Sequence, residues 1–437
     1  MITSTEGLSQ AAGALPAFFS VVIVGGGAGG LELAAGLAKD GCKDILLIDR
    51  NTSHIWKPRL HEMAAGLGVG ELDTLSYAGV AEKWGFAYQQ GELHSVSPDD
   101  KTVTLAAIRQ QDGEVVVPER QIAYQSLVLA IGGSVPDFGT EGVVEHAFRL
   151  IDGTDAARLF LRFSQGLLAR SLLGAGRPFD IVVVGSGATG VELAAHLKQD
   201  HLCAALAPRS ALPDIRVTII EAAEQILSGV PDDVRQDVRG RLEDIGIRIE
   251  TGKQVSKITP EEVQTKDGAR YPSDLTVWTT GTVGPPVAKQ IGSLETNEKG
   301  QWLVKPTLQT TASDAIFALG DCCALTDDPA PTTAQAASEQ AGHLIANLPK
   351  WLAGDPVAPF EFQNKGTLLS LGAGGSIAKL KKGFGDDILI NGRLARAAYQ
   401  GLYRQHQYHI LGLVKGTEEI VADLFDRAIG PQLKVFG

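Results

Sequence analysis

The chain has 437 residues, 44% hydrophobic and 21% charged, with 51 glycines, room for roughly two or three domains with sizeable cores. That composition excludes a disordered or fibrous chain, and a net charge of −12 argues against nucleic acid as a partner. The four cysteines (Cys42, Cys203, Cys322, Cys323) show neither CxxC nor zinc spacing, so they point to a reducing compartment without a disulfide framework or a metal site.

The first residues, MITSTEGLSQAAGALPAFFS, carry no Lys or Arg ahead of their apolar run and do not read as a secretory signal. No apolar stretch reaches the ~18 residues of a spanning helix. Ser20–Leu37, SVVIVGGGAGGLELAAGL, then reads as strand, tight turn and helix, with Gly25, Gly27 and Gly30 at the spacing of a dinucleotide turn. The first glycine permits the turn, the second lets the backbone approach a pyrophosphate, and the third lets helix pack on strand. The helix N-terminus adds amide donors and a partial positive charge for the phosphates. The next strand, ILLIDR, ends on Asp49, placed to accept the hydroxyls of an adenosine ribose. Short runs follow (TVTL, EVVV and RQIAYQSLVLA), expected to form a small antiparallel meander.

The turn returns at Asp180–Leu197, DIVVVGSGATGVELAAHL, with Gly185, Gly187 and Gly190, and the strand after it ends on Glu221. That acid comes 31 residues after Gly190, a late spacing that an insertion over roughly 201–214 explains. A carboxylate there repels the 2′-phosphate of NADPH, so NADH is the expected donor. Two such turns in one chain are the layout of a flavoprotein with an NADH domain inserted into an FAD domain. LVLAIGG (Leu127–Gly133) and TVWTTGT (Thr276–Thr282, with Gly281) mark the crossings, and IFALGDCCA ends a strand on Gly320 and Asp321. Asp321 is expected at the ribityl and pyrophosphate part of FAD, with the next helix, holding Ala336, aimed at the isoalloxazine. The expected fold is α/β, with two Rossmann-like domains, the meander and a C-terminal amphipathic helical segment. Residues 1–145 and 286–355 form the FAD-binding domain in two parts, 146–285 the NADH-binding domain, and 356–437 a membrane-surface or dimerisation region.

No cysteine pair lies where a disulfide reductase needs one, and Cys322-Cys323 are expected to pack as small hydrophobes. HIWKPRLHEMAAG (His54–Gly66), GATGVELAAHL, LGD at 319–321, AQAA at 334–337, NKGTLLSLG (Asn364–Gly372), GRLARAAYQGLYRQHQ and PQLKVFG together resemble the type II NADH:quinone oxidoreductases, the non-pumping NADH dehydrogenases. The resemblance implies non-covalent FAD, NADH as donor, a membrane quinone as acceptor and peripheral attachment to the cytoplasmic face of the membrane. It places Lys57 beside the flavin, Glu192 near nicotinamide and flavin, and Lys365 near the quinone end. Each has an ordinary alternative: a helix-face charge for Glu192, a solvated loop lysine for Lys365.

Two departures stand out. Arg59 takes a place where relatives more often have an aliphatic residue. The quinone motif AQxAxQ here reads Ala334-Gln335-Ala336-Ala337-Ser338-Glu339, with Gln340 one place later. Either a desolvated, protonated Glu339 donates in place of the amide, or Gln340 serves.

From Ser376 to Lys415 the chain is locally +5: Lys379, Lys381, Lys382, Arg393, Arg396, Arg404 and Lys415 against Asp386 and Asp387. With its tyrosines and the run ILGLV, the segment suits a lipid headgroup region or a homodimer interface, and TEEIVADLFDRAIG continues it as an amphipathic helix. His406 and His409 have no acidic neighbour in sequence and read as interface residues. Two other activities fit the cofactor motifs alone: a soluble NADH-dependent flavoprotein reductase of a small carrier, and a non-catalytic NADH-sensing flavoprotein.

Overall fold

The computed structural model describes residues 18–67, 74–173, 177–198, 213–327, 330–381 and 388–429. The insertion at 201–212, Cys203, Lys382, Asp386, Asp387 and the tail PQLKVFG lie outside these, as do the side chains of Arg393, Leu424, Phe425 and Ile429.

The first half is built on a ten-stranded sheet. Phe18–Val24 runs parallel to Ile45–Asp49 on one side and Arg120–Leu129 on the other, with Ala87–Gln90 beyond Ile45–Asp49. Their apolar, β-branched composition follows from burial on both faces, as expected in a parallel sheet. Chain from far downstream completes the sheet: Ser313–Ala318 adds in parallel beside Arg120–Leu129.

The expected meander forms only in part. Leu93–Ser97, Thr102–Leu105 and the first residues of Arg120–Leu129 are antiparallel neighbours. The rest of Arg120–Leu129 is instead a central strand of the parallel sheet, in register from Phe18↔Ala123 to Val24↔Leu129. Ten residues are long enough to serve both, which explains why the segment reads as one uninterrupted run. Val115–Val117 pairs only with Ile108–Arg109, as a separate ribbon.

The second half is a five-stranded parallel sheet in the order 147–149, 275–278, 179–184, 215–220, 247–250. A three-stranded antiparallel sheet (255–258, 262–265, 270–272) accompanies it. The two halves are stitched where the chain crosses: Ser134 and Val283 exchange both backbone hydrogen bonds at 2.9 Å.

A C-terminal layer covers both halves. The sheet of 366–370, 376–380 and 388–391 packs on the second, with Leu369, Leu371 and Ile377 in its core and Lys379 paired to Asp233 at 2.8 Å. The helix Gly392–Ile429 packs on the first and breaks at Gly412, whose φ of 74° and ψ of 173° are not helical. The break divides the run ILGLV. Ile410 and Leu411 enter the first half's core, where the Ile410 carbonyl accepts from Trp84 Nε1 at 2.6 Å. Leu413 and Val414 are left 78% and 77% exposed. No helix among the described residues is long and apolar enough to cross a membrane.

Candidate active site

Both glycine turns have the same construction, and in both it depends on the lack of a side chain. Gly25 and Gly185 have φ of +106° and +101°, the region open to glycine. A Cβ on Gly30 would sit 1.9 Å from the Gly25 carbonyl oxygen, and one on Gly190 would sit 2.1 Å from that of Gly185. The helices Ala28–Lys39 and Ala188–Leu197 can therefore start hard against their strands, amides pointing out of the turn.

The acids that end the second strands hold the turns. Asp49 Oδ2 accepts from Gly26 N at 2.7 Å and Oδ1 from Asn51 N at 2.8 Å. Glu221 repeats this, with Ser186 N at 2.8 Å, Ser186 Oγ at 2.6 Å and Ala223 N at 2.9 Å. Each carboxylate keeps lone pairs for ribose hydroxyls. Narrow backbone cradle, open helix N-terminus and acid at the strand end fit a dinucleotide in each half.

Gly320 (φ +73°) turns the chain after Ser313–Ala318, and its N–H donates to Gln340 Oε1 at 2.7 Å. Burial raises the Asp321 carboxyl, and Lys57 opposes that shift. Lys57 also reaches the strand end, its Nζ 3.3 Å from where a Cβ on Gly132 would be. Gly25, Gly27, Gly30, Asp49, Lys57, Gly320 and Asp321 thus belong to the first half's edge. Gly185, Gly187, Gly190 and Glu221 belong to the second half's, and Gly281 (φ +65°) is exposed near the crossing. Cys322 and Cys323 are buried in the core, with burial pushing Cys322 up to about 12.

The helix Ala334–Leu352 starts at Thr333, whose hydroxyl accepts from the buried Ala336 at 3.2 Å. Its first turns bring Gln335, Glu339 and Lys365 together. Gln335 Nε2 donates to Glu339 Oε1 at 3.0 Å and to the Gln363 carbonyl at 2.9 Å. Lys365 Nζ reaches the same Glu339 oxygen at 3.0 Å, and Gln363 N donates to the other at 3.1 Å. In this arrangement Glu339 faces three donors, from Gln335, Gln363 and Lys365. Gln340 faces the other way, into the core beneath Gly320.

Glu192 is not in this group. It is 7% exposed, accepts from Ser370 N at 2.8 Å, and lies 3.6 Å from His61 Nδ1. Burial, with Glu62 adding to it, pushes its carboxyl up to about 8 despite the Ser370 hydrogen bond. Burial and the neighbouring His196 keep His61 neutral, down at about 3. For Glu62 burial works upward, but the Arg59 guanidinium at 2.7 Å outweighs it and brings the carboxyl below its ordinary value. Arg59 thus serves as the counter-ion of Glu62. His61, Glu62 and His196 bring one potential ligand atom each within 4.8 Å of one another, although the carboxylate is already engaged by Arg59.

Comparison with known proteins decides between the activities that such a site could support. The pyridine nucleotide-disulphide oxidoreductase family matches residues 19–341. A type II NADH:quinone oxidoreductase of Haemophilus influenzae is 35% identical, over 95% of this chain and 99% of its own length. The chain belongs to the type II NADH:quinone oxidoreductases, within the pyridine nucleotide-disulphide oxidoreductase family. A demethylphylloquinone reductase of Synechocystis is 30% identical over 82% of this chain and 85% of its own. Among solved structures, NDH2 of Plasmodium falciparum in complex with NADH superposes with a TM-score of 0.79, covering 95% of this chain and 100% of that one at 17% identity. The sulfide:quinone oxidoreductase of Aquifex aeolicus superposes with 0.71, covering 94% and 96% at 18%. At these identities the superpositions speak to the fold alone.

One buried cluster has no counterpart in the sequence reading. Glu32, on the first glycine-turn helix, occupies the repeat position of Glu192: GLELAAGL in one half, GVELAAHL in the other. His406 Nδ1 lies 2.5 Å from Glu32 Oε1, and His409 Nδ1 lies 3.4 Å from Oε2. The two histidines expected at an interface therefore do have an acidic partner. Burial raises Glu32, but the hydrogen bonds to His406 and His409 outweigh it and bring the carboxyl down to about 2. Two equivalent glutamates are thus shifted in opposite directions, Glu192 up by burial and Glu32 down because its histidine hydrogen bonds outweigh burial. A carboxylate in an otherwise apolar helix was the available signal.

Proposed function

We propose that this chain takes a hydride from NADH by way of FAD and passes two electrons to a membrane quinone without pumping protons, the activity that gives its family its name. Bound in the first half, FAD supplies the two-electron carrier between the two substrates. The residues Gly25–Gly30, Asp49, Lys57, Gly320, Asp321 and Ala336 are assigned to hold it, and Gly185–Gly190, Glu221 and Gly281 to hold NADH. No helix among the described residues is long and apolar enough to cross a membrane.

The observation that carries the placement of the two substrates is the strand Gly366–Ser370. Ser370 at its end bonds Glu192, and Lys365 just before it bonds Glu339. Five extended residues separate the two clusters by about 17 Å of strand. That separation suits Glu192 at the nicotinamide and flavin side, and Gln335, Glu339 and Lys365 at the quinone side. Glu192, protonated at neutral pH, can hold or give a proton where charge develops. Lys365 and Gln335 can donate to a quinone carbonyl, while Glu339 orients both. Replacing Glu339 by Gln, or Lys365 by Met, is expected to raise the quinone KM about 3–10-fold, the scale of one net hydrogen bond. Bleaching of the flavin by NADH should stay at the wild-type rate. A raised NADH KM with an unaltered quinone KM would move the quinone elsewhere.

Glu221 sets the choice of nicotinamide. Removing its charge in Glu221→Ala is expected to raise the NADH KM about tenfold or more and narrow the preference over NADPH. The ratio of kcat/KM for the two donors measures it, and an unchanged ratio would reassign the selectivity.

The family is membrane-associated, and we assign the C-terminal layer to the lipid contact, at the cytoplasmic face. Leu413 and Val414, turned outward by Gly412, would enter the headgroup boundary, with basic residues of the segment against anionic lipid. Leu413→Asp combined with Val414→Asp should weaken co-sedimentation with anionic vesicles by about tenfold or more. Retained vesicle binding together with dissociation of a dimer would instead make this surface a subunit interface.

A further inference from the structure

Polar side chains unused in the activity converge beneath the first glycine turn. The Gly26 carbonyl accepts from Tyr77 Oη at 2.9 Å and lies 2.9 Å from His54 Nδ1. His54 Nε2 is 2.9 Å from His406 Nε2, and His406 Nδ1 is 2.5 Å from Glu32 Oε1. Ser338 Oγ donates to Glu32 Oε2 at 2.6 Å, and Trp56 lies against the His406 ring, centroids 4.1 Å apart. Glu32, His54 and His406 are all buried. His406 comes from the C-terminal helix and Ser338 from the helix Ala334–Leu352, the others from the start of the chain.

Donors and acceptors fix where the protons are. A carbonyl oxygen only accepts, so His54 carries its hydrogen on Nδ1. Burial, with His406 adding to it, brings His54 down to about 3, so the ring is neutral and Nε2 is a lone pair. That lone pair must accept from His406 Nε2–H. Glu32 is ionised and accepts at both oxygens, so His406 Nδ1 must also carry a hydrogen.

We propose that His406 is a buried imidazolium which latches the C-terminal helix onto the FAD-binding turn and, through His54, fixes the direction of the Gly26 peptide: a positioning residue for FAD. Gly26 is held at its N–H by Asp49 and at its C=O by Tyr77 and His54, which fixes the two peptide planes that flank it. Its orientation aims the amides that follow, at the start of the helix Ala28–Lys39, toward the pyrophosphate. A buried ion pair needs both partners, and losing one leaves an uncompensated charge. The latch therefore makes flavin retention depend on a segment more than 350 residues downstream. The inference rests on the placement of FAD proposed above.

Two measurements on the full-length FAD-loaded protein test it. Long-range proton–nitrogen correlation spectra of histidine-labelled protein, with the His406 signal assigned by its loss in His406→Gln, should show both ring nitrogens protonated at pH 7.5. A neutral tautomer would overturn the imidazolium. FAD release, followed by the fluorescence of freed flavin, should be about tenfold or more faster in His406→Leu. It should be intermediate in His406→Gln, which keeps a donor for His54 but not the charge. Release from His406→Leu at the wild-type rate would overturn the positioning role. Should His406→Leu not fold, the His406→Gln rate and the wild-type spectrum decide. Failure of the FAD placement itself would appear separately, as full flavin retention in Gly30→Ala.

Discussion

Gly30→Ala is expected to yield a protein without FAD, while Gly190→Ala keeps its FAD and loses NADH. Both substitutions add one methyl group at equivalent places in the two turns. The methyl would meet the carbonyl oxygen of Gly25 at 1.9 Å or of Gly185 at 2.1 Å. Those oxygens belong to backbone already fixed in the sheets: Gly25 N donates to Ile48 O at 2.7 Å, and Gly185 N to Ile220 O at 2.8 Å. Neither side can yield by rotating a side chain, so helix and strand must separate and the amides lose their aim at a pyrophosphate. Gly30→Ala should purify colourless or unfolded. Gly190→Ala should purify yellow, with an NADH KM raised by about 100-fold or more, the scale of a few kcal/mol of lost binding. Absorbance at the flavin band and a titration with NADH distinguish the two. Loss of FAD from Gly190→Ala, or full FAD in Gly30→Ala, would mean that the halves have been assigned the wrong way round.

Glu192→Gln should be more stable than the wild type at pH 8 and equal to it near pH 4.5. The Glu192 carboxyl stands at about 8 in the folded chain against 4.5 when unperturbed. Between those values the folded chain keeps a proton that the unfolded chain has released. Stability therefore falls as pH rises, by about 1.4 kcal/mol per unit within that window, and is level above and below it. Glutamine has no proton to lose and escapes the decline. Thermal unfolding of FAD-loaded protein at a series of pH values measures the difference. A gap that stays constant with pH would show Glu192 to be ionised in the fold. The same substitution removes the proton that Glu192 can give on the nicotinamide and flavin side and should slow turnover about 100-fold or more.

The sequence made legible whatever is coded locally. Each glycine turn is a run of adjacent residues whose spacing states its purpose, and the acids Asp49 and Glu221 end strands that β-branched residues announce. The buried state of Cys322 and Cys323 followed from their place beside a core strand. What stayed hidden depends on partners distant along the chain. Glu32 and His406 are separated by 374 positions, and neither has a local pattern pointing to the other. Glu339 and Lys365 pair only because residues 363–365, far along the chain, return to the start of the helix Ala334–Leu352. The double duty of Arg120–Leu129 was hidden because antiparallel and parallel pairing use the same residue types. Gly412 carried a local signal, a glycine within ILGLV, but which half would be buried depended on Trp84 waiting across the core boundary.

The central claim is that electrons taken from NADH leave to a quinone. Anaerobic stopped-flow in detergent tests it most directly: bleach the flavin with NADH, then mix with a ubiquinone or menaquinone analogue. Reoxidation by quinone far faster than by oxygen or a one-electron carrier is the predicted result, with Glu339→Gln slower than the wild type at low quinone. Rapid bleaching followed by indifference to every quinone would contradict it, and would leave the Gln335–Glu339–Lys365 cluster as a packed helix start.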